Sequence, residues 1–304
     1  MSGKPQDSSA SRSGILPAAG AALAVAAGAV TAYALAVEPY RLEVTHTDIH
    51  CPRLPAAWDG VTILLLADLH MSRWGRRERL LASILDDLPT PDIAVLAGDL
   101  LQGITGAPPT VELIETHVRA RYARYGILGN SEHKLKTRHR LRAVQAFRDA
   151  GVIMLINENT TLTVKGETVT VAGTDDPYFG HADLPATLSG IDPRQFCLLL
   201  AHSPQVAIRA ARAGADLLLS GHTHGGQVRF PFIGALDTHN ALGRQVDQGL
   251  FDRTRLRATT GREPGSDLML YITRGVGVAN FTRWPIRPRF LCRPEIAWLT
   301  LRKG

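Results

Sequence analysis

The chain has 304 residues, with 34 Lys and Arg against 28 Asp and Glu, a formal net charge of +6. Hydrophobic residues make up 45% and charged residues 20%, ordinary for a globular protein and enough to bury a substantial core. The aromatic fraction of 6% argues against a base-stacking surface, so no specific nucleic-acid binding is expected. The basic excess suits phosphates or acidic lipid headgroups, and equally a solvated basic exterior. Cys51, Cys197 and Cys292 are widely spread and form no CxxC pair, which excludes a zinc ribbon and a disulfide framework.

Residues 15–37 run without a charge, long enough to cross a bilayer as a helix. Lys4 and Arg12 precede this run, and Glu38 and Arg41 follow it. Positive charge on the N-terminal side predicts a short cytoplasmic segment over 1–14, an anchor over 15–37 in the inner membrane, and a catalytic domain over 40–304 on the extracytoplasmic side. Ala34-Leu35-Ala36 also fits the A-x-A pattern of a signal peptide, so export after cleavage is the alternative.

After residue 40 short strands and helices alternate. Residues 41–49 alternate apolar and polar like a half-exposed strand, and 61–67 and 92–97 are continuous apolar runs, as in strands buried on both faces. Helices are expected over 77–88, 111–123, 141–150 and 206–213. Further strands are expected over 125–128, 152–156, 195–200, 216–219, 269–273 and 295–301, with a hairpin over 161–171 turning at Lys165-Gly166. This is the order of an α/β domain, in which ligands bind beyond the C-terminal ends of the strands.

The chemistry-bearing residues stand at those ends: Asp68, His70, Asp99, Asn130, His202, His222 and His224. Each short motif alone is commonplace, because an Asp-x-His after a strand is more often a turn or cap. Two histidines within the glycine-flanked turn Gly221 to Gln227 are harder to assign to structure. Mixed oxygen and nitrogen donors suit Mn, Fe, Zn or Ni more than Mg or Ca. Seven donors exceed one tetrahedral ion but match two ions sharing a carboxylate, the usual arrangement for in-line displacement at phosphorus. Gly98, Gly129 and Gly221 precede three of the donors and allow tight bends.

The blocks ADLH (67–70), GDL (98–100), GN (129–130), AHSP (201–204) and GHTHGGQ (221–227) together resemble the calcineurin-like metallophosphoesterase superfamily. The apolar N-terminal segment and the ending RPEIAWLTL (293–301) resemble its small membrane-associated bacterial subgroup. The resemblance implies a four-layer αββα sandwich behind one transmembrane or signal helix. It implies Asp68, His70 and His224 on a first metal and Asn130, His202 and His222 on a second, with Asp99 bridging. Phosphodiester or phosphomonoester hydrolysis by a metal-bridging hydroxide is then the expected activity.

In one block the chain departs from the pattern. The family usually reads Gly-Asn-His-Asp/Glu, the histidine assisting the leaving group, whereas this chain reads Gly129-Asn130-Ser131-Glu132-His133. Either His133 reaches in from two residues on, or the acid role is weakened and falls to Ser131. Loss of a general acid costs on the order of 10² to 10⁴ in rate, least for good leaving groups. Two rivals follow: a pyrophosphate hydrolase acting on UDP-diacylglucosamine or another membrane phospholipid, and a metal-binding scaffold with little turnover. Asp175-Asp176-Pro177 reads as a capping turn. Arg73, Arg76 and Arg77, and the arginines between 119 and 142 with Lys134 and Lys136, fit an anionic substrate or a lipid surface, although a solvated face is the commoner reading, and the stretch Arg283 to Pro288 fits the site mouth or the membrane. Substrate-binding residues and the oligomeric state are not readable from these motifs.

Overall fold

The structure, a computed structural model, describes residues 15–279 and 286–304, with the backbone alone for 15–20. The expected cytoplasmic segment 1–14, with Lys4 and Arg12, lies outside the described residues, as does Arg283-Trp284-Pro285. Helix α1 (Ile15–Ala36) covers the apolar run, and Ala21–Tyr40 is long and apolar enough to cross a membrane.

The described residues form two six-stranded sheets and a small ribbon. The first sheet has β1 (Glu43–Cys51), β14 (Glu295–Lys303), β2 (Thr62–Leu66), β3 (Ile93–Ala97), β4 (Ala123–Ile127) and β5 (Ile153–Met154) in that order. β14 runs antiparallel to β2, while β2 to β5 are parallel. The second sheet has β12 (Gly249–Phe251), β13 (Met269–Ile272), β9 (Leu217–Ser220), β8 (Cys197–Leu200), β7 (Glu167–Gly173) and β6 (Glu158–Val164).

Alternation along the strands decides the layering. Ile63, Leu65, Val95 and Ile127 of the first sheet meet Val171, Leu198, Leu200 and Leu219 of the second in one core. Intervening Leu64, Leu66, Ala94 and Leu96 face outward onto α2 (Arg76–Asp87), α3 (Ala107–His117) and α5 (Thr137–Asp149). Leu199, Leu218 and Leu270 face α7 (Ala207–Arg212) and α8 (Arg253–Thr260) on the far side. Residues buried on both faces of a sheet read as unbroken apolar runs. The layer order is therefore helix, sheet, sheet, helix.

Most expected elements are present, with shifts that have local causes. The helix expected over 111–123 ends at His117. Beyond it the amides of Arg121 and Tyr122 bond to the carbonyls of Pro91 and Asp92, which starts β4 at Ala123. Arg119 donates to the carbonyls of Leu85, Asp86 and Leu88 at the end of α2, so this cation is a cap. Only Ile153 and Met154 of the strand expected over 152–156 pair with a neighbour. The β6–β7 hairpin turns at Lys165 and Gly166, with φ of 49° and 86°. The three cysteines are free and buried.

Candidate metal centre

The strand ends place the chemistry. Asp68 follows β2, Asp99 follows β3, and Asn130 opens the short helix α4 (Asn130–His133) after β4. His202 follows β8, and His222 and His224 follow β9. Seven side chains from both sheets thus meet at one end of the sandwich, beyond the carboxyl ends of parallel strands.

Packing holds the backbone there in costly conformations. Asp68, His70, Asp99, His222 and His224 have φ of 54°, 45°, 51°, 71° and 50°. A non-glycine residue in this region costs about 1–3 kcal/mol and persists where surrounding contacts over-determine it. Those contacts are present: Asp68 N donates to Gly98 O at 2.9 Å, His70 N to Asp99 O at 2.9 Å, and His222 N to Asp68 Oδ2 at 3.0 Å. Gly98 has φ of 83°, and a Cβ there would lie 2.7 Å from His202 Nδ1. Gly221 serves space alone, because a Cβ would lie 2.6 Å from Asp68 Oδ2.

Two groups of donor atoms lie within 4.8 Å of one another: Asp68, His70 and His224, and Asp68, Asp99 and His202. Asp68 belongs to both groups, and Asp99 reaches from the second toward the first, with Oδ2 3.5 Å from His70 Nε2 and Oδ1 3.3 Å from His202 Nε2. Asn130 Oδ1 is 2.9 Å from His222 Nδ1. The chemistry of this set fits metal ions. Asp68 Oδ1 and His202 Nε2 are buried without a hydrogen-bond partner, since the approach of Nε2 to Asp99 is not aligned for one. Buried polar atoms are normally satisfied, so bare ones mark an absent partner. His202 Nδ1 is 2.8 Å from the Ala97 carbonyl, an orientation that turns Nε2 toward the carboxylates, as second-shell contacts orient metal-binding histidines.

Electrostatics agree. Burial alone would lower His202, but the Asp99 and Asp68 carboxylates outweigh it and raise it to about 10. Burial raises Asp68 to about 7 and lowers His70 to about 4 and His222 to about 3. His70, His222 and His224 are thereby held neutral, the state in which an imidazole binds a cation, while the charge that His202 takes from the two carboxylates is one a metal ion would displace.

A cavity of about 280 Å³ opens onto the group, with His70, Asp99, Asn130, His222 and His224 in its wall. Asp68 and His202 are fully buried behind it. Ser131 lines the cavity and donates from Oγ to Asp99 Oδ2 at 2.8 Å, while its amide donates to Oδ1 at 2.6 Å. His133, considered above for the leaving-group role, does not line the cavity. Its Nε2 donates to Asp175 Oδ1 at 2.6 Å and its ring stacks on His181 at 4.1 Å. Asp176 caps its own turn, accepting from the amides of Tyr178 and Phe179.

The His133–Asp175 pair has a testable pH signature. Burial alone would raise Asp175, but hydrogen bonds from His133 and the Asp176 amide outweigh it and hold the carboxyl below its ordinary value of 3.8. A depressed carboxyl contributes stability that is present above the unfolded value and lost as pH falls through the folded one. The melting temperature of the wild type should therefore fall toward that of His133→Ala as pH drops below about 4. A constant difference between the two across that range would show that the pair does not carry it.

Several residues here gave no sequence signal. Glu132 is buried and accepts from the amides of Asp99, Leu101 and Gly129 at 3.1, 2.9 and 2.9 Å, tying two ligand loops together. Gln102, Tyr178 and His239 line the cavity, as does Lys134, which the sequence offers as a holder of an anionic substrate.

Residues 61–226 match the model of the calcineurin-like phosphoesterase family. The chain belongs to that family. It is 31% identical over 293 residues to the metallophosphoesterase YkuE of Bacillus subtilis, covering 92% of this chain and 94% of that one. It is 27% identical to the phosphodiesterase YaeI of Escherichia coli, covering 79% and 81%, and 32% identical to a bovine transmembrane protein with a metallophosphoesterase domain, covering 62% and 45%. As a member of the family, the chain is a metal-dependent hydrolase of phosphoesters that uses divalent ions.

Proposed function

We propose that the chain is a binuclear phosphodiesterase, with Asp68, His70 and His224 holding one ion, Asn130, His202 and His222 the other, and Asp99 shared. The observation that carries this reading is the convergence of seven buried donors on one cavity with Asp68 Oδ1 and His202 Nε2 bare. Divalent ions held by these residues would supply Lewis-acid polarisation of phosphoryl oxygens and would lower the pKa of a water toward neutral pH.

The chain's own residues do the rest. Ser131 holds the Asp99 carboxylate by two hydrogen bonds, so its hydroxyl is engaged in positioning. With His133 turned to Asp175, leaving groups must depart with little protonation from this loop. Lys134 is the one Lys or Arg among the described residues lining the cavity. With the charge of the ions common to both esters, a lining with one further cation leaves less of a diester's single charge uncompensated than of a monoester's two. The name of the Escherichia coli relative supports the same preference. The α1 helix we read as a retained anchor with the body on the extracytoplasmic side; the name of the bovine relative supports the membrane association alone.

The test is hydrolysis by the detergent-solubilised full chain with Mn²⁺. Bis-p-nitrophenyl phosphate should exceed p-nitrophenyl phosphate in kcat/KM by about tenfold, a 1.4 kcal/mol preference. Equal or reversed preference would reject the diester reading. Bound ions with no turnover of either ester, across several metals, would leave the metal-binding scaffold.

A further inference from the structure

The end of α1 does not leave the body freely. Arg289 N donates to Ala34 O at 2.9 Å, the Cys292 amide donates to Glu38 Oε1, and the Tyr33 and Phe290 rings meet edge-on at 6.5 Å. On one flank Phe290 touches Phe230, at 5.9 Å between rings, in the ribbon of β10 (Arg229–Phe230) and β11 (Gly234–Ala235). The tip of this ribbon is Pro231-Phe232-Ile233. Phe232 is 110% exposed and Ile233 55%, and Leu291 beside them is 52% exposed. Phe232 also has φ of 65°, strained for a bulky side chain. Folding gains nothing from a strained, fully exposed aromatic, so its use lies in something outside the chain.

On the other flank a cavity of about 310 Å³ is walled by Leu35 of α1, by Pro39 and Tyr40 of the turn that follows it, and by Arg73, Arg76 and Arg287, with Glu78 paired to Arg77 at its edge. Arg76 lies over the Tyr40 ring at 4.9 Å. Apolar side chains and arginines thus surround the point where an apolar helix meets the body. Both flanks lead to the metal centre: Val278 lines the basic cavity while Ala279 lines the catalytic one, and the ribbon joins Gln227 to His239.

We propose that this face is a bilayer-docking surface, in which the Phe232–Ile233 tip enters the acyl boundary, Arg73 and Arg76 meet anionic headgroups, and the catalytic cavity is held at headgroup level. Apolar tips with basic neighbours bind membranes by these two contributions together. The inference rests on the reading of α1 as a membrane anchor.

The test uses the full chain reconstituted into phosphatidylcholine vesicles, with or without phosphatidylglycerol, carrying an environment-sensitive label at Phe232→Cys. The native cysteines are buried, and burial pushes the Cys51 and Cys197 thiols to about 12, so they stay unlabelled. Nitroxide lipids should quench this label at least about threefold more than one at Lys165→Cys, in the turn at the opposite strand ends. Phosphatidylglycerol should raise the quenching, and Arg73→Gln with Arg76→Gln should remove that rise. Equal quenching at both positions, in a chain that resists carbonate extraction, overturns the docking face and leaves the anchor. Release by carbonate overturns both. Cross-linking of Phe232→Cys into dimers without lipid quenching gives the face to a second copy and also overturns the proposal.

Discussion

Asp99→Asn should lower kcat by on the order of 10³-fold or more and reduce the bound metal per chain, while in chelator the fold melts close to the wild type. Asparagine keeps the size of the side chain and one acceptor for the Ser131 amide, so the loop geometry survives. The charge is lost, and with it the carboxylate that reaches from one donor group toward the other, 3.5 Å from His70 and 3.3 Å from His202. Ions in such a centre contribute several kcal/mol to the transition state, which corresponds to a rate factor of roughly 10³. Metal content by mass spectrometry and turnover of the diester, measured on one preparation, separate the two effects. Wild-type turnover with full metal content in Asp99→Asn would remove Asp99 from the centre.

Arg289→Met should destabilise the chain by about 3–5 kcal/mol, the cost of leaving several buried carbonyls without a donor. Arg289 is fully buried and donates to the carbonyls of Arg274, Gly275 and Gly277 at 2.8, 3.1 and 2.7 Å. It donates also to Cys292 O at 3.2 Å, and its Nη2 lies 3.4 Å from His224 Nδ1. Gly275 and Gly277 pack directly on Asp68, so the guanidinium is what holds the loop behind that ligand. Methionine fills similar volume and leaves these carbonyls unpaired, each costing about 1–3 kcal/mol. Bound metal stabilises the folded state by mass action, so denaturant curves belong in chelator. A change under about 1 kcal/mol would show that water replaces the guanidinium without strain.

The residues proposed as metal ligands were legible as candidates because their signal is local. The apolar runs that become β2, β3, β8 and β9 stop where Asp68, Asp99, His202 and His222 begin. In an α/β sheet that stopping point is also the place where ligands bind. Layering was legible for the same reason, since strands buried on both faces carry unbroken apolar runs. The hairpin at Lys165-Gly166 needed only the turn chemistry of two residues.

Other assignments depended on partners far away in the chain. Whether His133 or Ser131 faces the cavity is decided by Asp175, which lies 42 residues on and draws the imidazole away. Glu132 reads as one more charge beside Asn130 until burial places it against the amides of two ligand loops. Arg289 sits in a stretch of arginines that reads as surface, and only the closing of residues 274–277 around it makes it a buried strut. Residue types and strand ends thus determined the chemistry of the centre, because ligand identity and strand period are properties of a few adjacent residues. Which side chain points where, and what holds each ligand loop in its left-handed turn, was decided by long-range contacts that have no period in the sequence.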